Sequence, residues 1–540
     1  MTQIYINTEI YADGQIYVTV QAGAMRLRCA GADEVKAAIK ALDGPETAWI
    51  GCGIRRSVWV LRAIMEGLDW TEIAAMETPW DTVKSSHMPV FFDLSDGRSV
   101  TELRAYHGDY FFPEPEPGTD GEAVPGTARA LHCEDGLETI IERFADPEVR
   151  AAYETRMWLA DKYGDYSLVG LSLSGLAARA LKAKAPAELP EEHRDITAVP
   201  ESICGLQVTG GNGGLHGAKA GYHGRDITVV DVNSMYPSIM VKYGLCPRGA
   251  DAGIYAGLLR VRLDAKAAGE TLRADAAKLI LNATYGAMRC DWSPLYDPDR
   301  ADAICKLGQS LVADLARQLP GVLVQINTDG VMVAGADVDD VRTAVEAWQT
   351  ETGLTCSIER WAEIWQRDVN TYLLRASSGE IRAKGALRIG GDWDHDGDII
   401  KLAVQDYLLY QIEISDTING HGGEREYQLV RKTTADCPAL QVLGGQVLPD
   451  DVVRVYAVRD GIRVIRRRED GTTCQMGDTP TSLRIDNPSQ MQHRDIDKSW
   501  YIKAAEKLLA SVVSGKTESK AGAPERKTTD KHRDEIKLPW

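Results

Sequence analysis

The stretch that most constrains this chain is Ile227-Thr-Val-Val230 running into Asp231-Val-Asn-Ser-Met-Tyr-Pro-Ser-Ile-Met240. The apolar run reads as a short buried strand. Pro237 suits the first turn of a helix, where a missing N–H costs nothing. Asp231 therefore stands where a strand ends and a turn begins. That position serves either a plain strand–turn–helix corner or a carboxylate that holds a metal ion.

Two stretches further on bear on this choice. Tyr255 to Gly286 reads as an antiparallel helix pair broken near Gly269. Arg262 and Lys266, four apart, share one face of the first helix, and Lys278 lies one turn before Asn282 on the second. Three such cations suit a triphosphate, or else form a solvated basic face. Gly321 to Ala334 then gives two β-rich halves around Asn327-Thr328-Asp329-Gly330, a hairpin with Asp329 at its tip. An Asp before Gly is also ordinary turn chemistry.

Composition is that of a globular protein, with 540 residues, 44% of them hydrophobic and 26% charged; this length suggests roughly three or four domains. The formal net charge of -18 argues against a general DNA-coating protein but leaves room for an enzyme with one basic cleft. The ten cysteines include no C-x-x-C pair, so neither a zinc site nor a disulfide framework is expected, and a reducing cytosol fits best. No apolar run approaches membrane-spanning length, so no membrane partner is expected.

Ahead of residue 200 the chain reads as strands followed by helices. Ile4 to Val20 is a hairpin turning at Asp13-Gly14, Glu34 to Leu42 and Ser57 to Met65 are helical, and Phe91 to Leu94 is a strand. Phe112 to Gly126 is a Pro-rich loop, helical patterns run from about Leu137 to Leu181, and an acidic connector covers Pro186 to Pro200. Thr209-Gly-Gly-Asn-Gly-Gly-Leu-His-Gly217 reads as a flexible linker or as a backbone that approaches nucleic acid closely.

Asp231-x-x-Ser234-x-Tyr236-Pro237-Ser238-Ile239 resembles the first polymerase motif of family B DNA polymerases. Lys278-x-x-x-Asn282-Ala-x-Tyr285-Gly286 resembles the second, with Ala283 where Ser is usual. Asn327-Thr328-Asp329 resembles the third, with Asn327 where Asp is usual. The motifs occur in the family's order. The resemblance implies DNA-templated addition of dNTPs to a primer 3′ end by two Mg²⁺ ions, with Mn²⁺ able to stand in, about 3.5–4 Å apart. Asp231, Asp329 and the Val232 carbonyl are the implied ligands, with Asn327 a weakened fourth. Ser234 and Met235 would touch the triphosphate, and Arg262, Lys266 and Lys278 would neutralise it. Tyr236 would lie under the sugar and exclude a 2′-hydroxyl, while Asn282, Tyr285 and Gly286 line the nascent base pair.

The same resemblance implies a 3′–5′ exonuclease-type domain ahead of the polymerase. Asn7-Thr8-Glu9 falls where Asp-x-Glu is expected, with Ser57 and Met157 at two further acid positions. Glu9 alone among them keeps its carboxylate, so proofreading is expected to be absent and synthesis error-prone or lesion-tolerant. Thr328, Tyr372 and Lys384 are the implied primer contacts. Val452 to Arg468 reads as a β-hairpin turning at Asp460-Gly461, its arginines forming either a phosphate-tracking surface or a solvated face. Helices are expected at Ile399 to Leu409 and Asp497 to Ala510.

The expected fold is thus α/β and multidomain, a right-hand polymerase preceded by an RNase H-like exonuclease-type domain. Its parts are an inactive exonuclease-like domain over 1–195, a first palm segment with a Gly-rich linker over 196–250 and short fingers over 251–285. A second palm segment over 286–370, a thumb with its hairpin over 371–514 and a disordered tail over 515–540 complete it. Primer–template DNA and dNTPs are the expected partners, with a protein partner for the tail that ends in Ile536 to Trp540. The expected location is cytoplasmic, a bacterial host's cytosol if a phage encodes the chain. The rival reading is a catalytically decayed polymerase acting as a non-enzymatic DNA-binding replication or repair factor. An RNA-making palm enzyme is disfavoured by Tyr236.

Overall fold

The computed structural model describes residues 2–10, 16–44, 47–51, 61, 63–68, 91–93, 141, 144–145, 147–186, 188–189, 199, 201–211, 213–390, 396–434, 436–445, 447–448, 452–474, 476, 479–485 and 495–516. Ser57, the Asp13-Gly14 turn, the Pro-rich loop and the chain's last residues lie outside these. The chain divides into two compact units. One comprises 1–171, 389–403 and 415–503, and the other 172–388, 404–414 and 504–540.

The first unit opens with strands β1 (Thr2–Ile10), β2 (Ile16–Ala22) and β3 (Met25–Ala30), helix α1 (Gly31–Leu42), and strands β4 (Thr47–Gly51) and β5 (Phe91–Asp93). They form a five-stranded sheet in the order β3-β2-β1-β4-β5. The first three strands are antiparallel, and β4 and β5 are added parallel to β1. Alternate residues Ile4, Ile6, Val18 and Val20 meet Val35 and Ile39 of α1 in one core, as a one-sided amphipathic strand and helix require. Helix α2 (Pro147–Tyr163) follows.

The second unit begins with α3 (Leu173–Ala180) and the short pair β6 (Ser202–Ile203) and β7 (Leu206–Gln207). Its centre is an eight-stranded antiparallel sheet in the order β15-β14-β13-β10-β12-β11-β9-β8. The strands are β8 (Thr209–Gly211), β9 (Gly214–Ala218), β10 (Tyr222–Val232), β11 (Val322–Asn327), β12 (Gly330–Ala334), β13 (Cys356–Asp368), β14 (Thr371–Arg375) and β15 (Ile381–Lys384). Strand β10 lies inside the sheet, paired with β12 on one edge and β13 on the other. Ile227 and Val229 enter one apolar cluster with Met332, Trp361 and Leu374, while Val230 is fully buried on the opposite face. Covering both faces explains the unbroken apolar run.

Five further helices belong to this unit: α4 (Met235–Lys242), α5 (Ala252–Ala268), α6 (Thr271–Ala287), α7 (Pro298–Gln318) and α8 (Val338–Thr352). Asp251 caps α5 by accepting from Ile254 N at 3.0 Å. Gly269 ends it at φ +72°, a left-handed conformation that favours glycine. Ala274, Ala276, Ala277, Ala283 and Ala287 are buried on α6 and let α3 and α5 approach closely. Asp297 before α7 is fully buried. Arg248 donates to it from its backbone N (3.0 Å), Nε (2.9 Å) and Nη2 (2.7 Å).

Helices α9 (Asp398–Tyr410) and α10 (Ile414–Gly420) come next, then the small sheets of the first unit and α11 (Lys498–Ser514). The small sheets are β16 (Leu429–Lys432), β18 (Val452–Ile462) and β21 (Leu483–Ile485), and β17 (Ala439–Val442), β19 (Val464–Arg467) and β20 (Thr473–Cys474).

Three readings are corrected here. The glycine-rich stretch is neither a linker nor irregular, because it forms the β8–β9 hairpin at the sheet edge. Val452 to Arg468 is not a hairpin: β18 runs through Asp460-Gly461 and pairs with β16 and β21, whereas β19 pairs with β17 and β20. Gly461 serves close approach rather than a turn, since a side chain there would run into the Leu483 carbonyl. Several arginines of that stretch are used internally. Arg454 is buried and donates to Gln428, and Arg466 donates to the Lys432 carbonyl at 2.8 Å. Finally, Cys437 and Cys474 are joined as a disulfide. They lie 37 residues apart in sequence and meet because β17 and β20 flank the same strand. Among the described residues, no helix is long and apolar enough to cross a membrane.

Candidate active site

Register brings the two singled-out carboxylates together. Asp231 is the Cα partner of Gly330, the residue after Asp329, and the Val232 N–H donates to the Asp329 carbonyl at 2.9 Å. Gly330 leaves the space that the Asp231 carboxylate occupies, because a side chain there would collide with Asp231 Oδ1. The turns beside both carboxylates hold non-glycine residues in the left-handed region, Ser234 at φ 48° and Thr328 at φ 56°. Such conformations cost about 1–3 kcal/mol each and gather at sites where the surroundings enforce them. Thr328 is held by its N–H to the Leu215 carbonyl at 2.9 Å.

The two carboxylates are electrostatically unsatisfied. Burial, then the Asp329 and Glu359 carboxylates, push the Asp231 carboxyl up to about 6, against the opposing charges of Arg382 and Lys266. Asp329 sits exposed at the hairpin tip, yet enough protein packs around it that burial raises its carboxyl above the usual range; Lys384 and Lys278 oppose the rise. Glu359 itself accepts from Arg382 at 2.7 Å. Among the described residues no group of three or more His, Cys, Asp or Glu side chains is set to hold a metal ion. The fit to a cation rests on this pair: burial raises both carboxyls and the Asp329 charge raises Asp231 further, so a positive charge beside them would favour their ionised forms.

The cations named from the sequence converge on the same place. Arg262 Nε donates to Ser234 Oγ at 3.1 Å and its Nη1 to the Ala274 carbonyl at 2.9 Å. Lys266 Nζ donates to Asn233 Oδ1 at 2.6 Å. Lys278 and Asn282 are exposed one turn apart on α6, with Tyr285 and Gly286 on the next turn. The Tyr236 and Tyr285 rings lie 4.6 Å apart, and the Tyr236 hydroxyl donates to the Gly213 carbonyl at 2.9 Å. Met235 is buried in the first turn of α4. Tyr372 and Lys384 are Cα partners on β14 and β15. Burial, followed by the Asp231 charge, raises the Tyr372 phenol.

Asn327 is engaged at both ends of its amide. Oδ1 accepts from His216 Nδ1 at 3.2 Å, and Nδ2 reaches the Val369 carbonyl at 3.4 Å. In the first unit, Asn7 is buried on β1, Glu9 lies on the same strand, and Met157 is half-buried on α2.

Sequence reading missed Glu359, Arg382 and His216. Each reaches the site through strand pairing with a distant segment, and no local spacing announces it. Cys356 was missed too. Burial and then the Asp231 charge push its thiol up to about 12.

No family model and no curated protein matches the chain. Among solved structures, the chain is similar to the family B DNA polymerase of the hyperthermophilic archaeon Pyrobaculum calidifontis. The identity is 12% and the TM-score 0.47, covering 97% of this chain and 79% of that one.

Proposed function

We propose that the chain is a DNA-templated DNA polymerase that adds dNTPs to a primer 3′ end. The observation that carries this is the convergence on one sheet end of Asp231, Asp329 and the cations of two helices. Asp231, Asp329 and the Val232 carbonyl are the residues that would hold divalent cations, water and phosphate oxygens completing the shell. Bound Mg²⁺ or Mn²⁺ supplies Lewis acidity and lowers the proton affinity of a primer hydroxyl.

The chain's own residues do the rest. Arg262, Lys266 and Lys278 neutralise a triphosphate, and Ser234 with the α4 N-terminus orients it. The Tyr236 ring occupies the space that a 2′-hydroxyl would need. Asn282, Tyr285 and Gly286 line the base pair, and Thr328, Tyr372 and Lys384 position the primer strand.

The first unit's order, a three-stranded meander followed by two parallel strands, supports an RNase H-like exonuclease-type domain. With Asn7 and Met157 where acids would be needed, it is proposed to lack proofreading. A second reading, a decayed polymerase that binds DNA without catalysis, is favoured by Asn327, whose amide is engaged at both ends by His216 and the Val369 carbonyl.

Primer extension separates the two. With Mg²⁺ or Mn²⁺, the wild type extends a primed template and Asp329→Ala loses at least about a thousandfold in rate, as expected for a charge acting in the transition state. Absence of extension by the wild type with either metal refutes the enzyme reading.

A further inference from the structure

Tyr236 is held by parts of the chain that carry no polymerase motif. Cys305, Gly308 and Gln309 lie on one face of α7; Cys305 and Gly308 stand against the Tyr236 ring, and Gln309 against the β8–β9 hairpin. Gly308 is where the helix backbone passes the ring: a Cβ there would stand 3.0 Å from Tyr236 Cε1 and 3.1 Å from Met235 Cε. A glycine inside a helix costs about 0.5–1 kcal/mol relative to alanine, and this one admits the ring.

The β8–β9 hairpin meets both α7 and Tyr236. Gln309 Nε2 donates to the Gly211 carbonyl at 2.6 Å, and Cys305 Sγ reaches the same oxygen at 3.2 Å. Two residues on, the Gly213 carbonyl takes the Tyr236 hydroxyl at 2.9 Å. A side chain at Gly210 would meet Gln309 Oε1 at 2.7 Å, so glycine lets the hairpin sit on α7. The ring is thus fixed by Tyr285, by Gly308 and by a hydroxyl tether to Gly213, on the hairpin whose Gly211 carbonyl Gln309 holds.

We propose that Gln309, acting through the glycine-rich hairpin, is a positioning residue that sets sugar selection by Tyr236. The inference rests on the reading of Tyr236 as the sugar gate. Gln309 touches no substrate; it fixes the carbonyl chain that fixes the ring.

The test compares kcat/KM for a dNTP with that for the matching NTP in primer extension. Gln309→Met keeps the stem and deletes the donor; Gln309→Glu keeps the length and turns the donor into an acceptor. Each is expected to lower the dNTP-to-NTP preference about tenfold, the equivalent of one lost hydrogen bond, while dNTP kcat/KM stays within about threefold. Tyr236→Phe, which cuts the tether from the other end, is expected to lower it similarly. The double variant Tyr236→Phe/Gln309→Met should lose no more than either alone, because both cut one path.

A preference within about twofold of wild type in a folded Gln309 variant, or additive losses in the double variant, overturns the inference. It leaves the polymerase reading standing. Absence of extension by the wild type overturns that reading first, and the inference with it.

Discussion

Asp231→Asn should make this protein more stable while silencing it. Burial and two neighbouring carboxylates raise the Asp231 carboxyl from its ordinary 3.8 to about 6. Each tenfold change in proton affinity is worth about 1.4 kcal/mol. That rise therefore corresponds to about 3 kcal/mol by which folding disfavours the ionised form. The sign follows from the direction. An acid raised by folding contributes its full stability below the unfolded value, near pH 4, and that contribution is lost as pH rises through about 6. Above pH 6 the wild type carries the whole cost of a buried charge, whereas asparagine carries none. In excess EDTA, urea unfolding followed by tryptophan fluorescence and circular dichroism should show no gain for Asp231→Asn near pH 4. The gain should grow to about 3 kcal/mol by about pH 8. Because the chain forms two compact units, the difference belongs to the transition of the unit that contains β10. Millimolar Mg²⁺ should then stabilise the wild type and leave the variant unmoved. A variant no more stable than wild type at about pH 8 in EDTA, or a gain that does not shrink on acidification, would refute the electrostatic reasoning.

Asn327→Asp should place a third carboxylate beside the pair and lower the Mg²⁺ concentration for half-maximal extension several-fold; an unchanged metal titration would show that the position lies outside the cation's reach. Arg248→Ala leaves Asp297 buried with Arg300 Nε, 3.9 Å away, as the one remaining ion-pair partner among the described residues. It should destabilise the second unit by about 3 kcal/mol, and a loss under about 1 kcal/mol in urea would contradict this. Lys278→Ala should raise the KM for dNTP about tenfold or more with a smaller effect on kcat, since its charge faces Asp329 and the proposed phosphate site.

The parts legible in the sequence were those whose signal is local. The apolar run of β10, the hairpin around Asp329 and the helix pair broken at Gly269 each carry their periodicity and punctuation within a few residues. What escaped was carried by contact between distant segments. Strands β8 and β9 are largely glycine at their facing ends and so show no alternation, although Gln309 and His216 fix them in place. The disulfide between Cys437 and Cys474 depends on a three-strand pairing that no spacing reveals. Arg454 looked like surface charge because its partner, Gln428, arrives from a distant segment, just ahead of β16. Asp460-Gly461 looked like a turn because glycine marks turns and close approaches alike, and only the position of Leu483 tells them apart.

The hydrogen bonds of Arg262 and Lys266 have a consequence for how the helix pair works. Both cations already donate to the loop that carries Asp231, Arg262 to Ser234 and Lys266 to Asn233. An arriving polyanion therefore competes for donors in use, and each exchange returns only the modest difference between two hydrogen bonds. As the donors transfer, the tie between α5 and that loop loosens. On the proposed polymerase function, the same two side chains would act as a latch, closed on the loop in one state and on a triphosphate in the other. Release after chemistry would then need only the reverse exchange, so tight capture and ready turnover would not oppose each other.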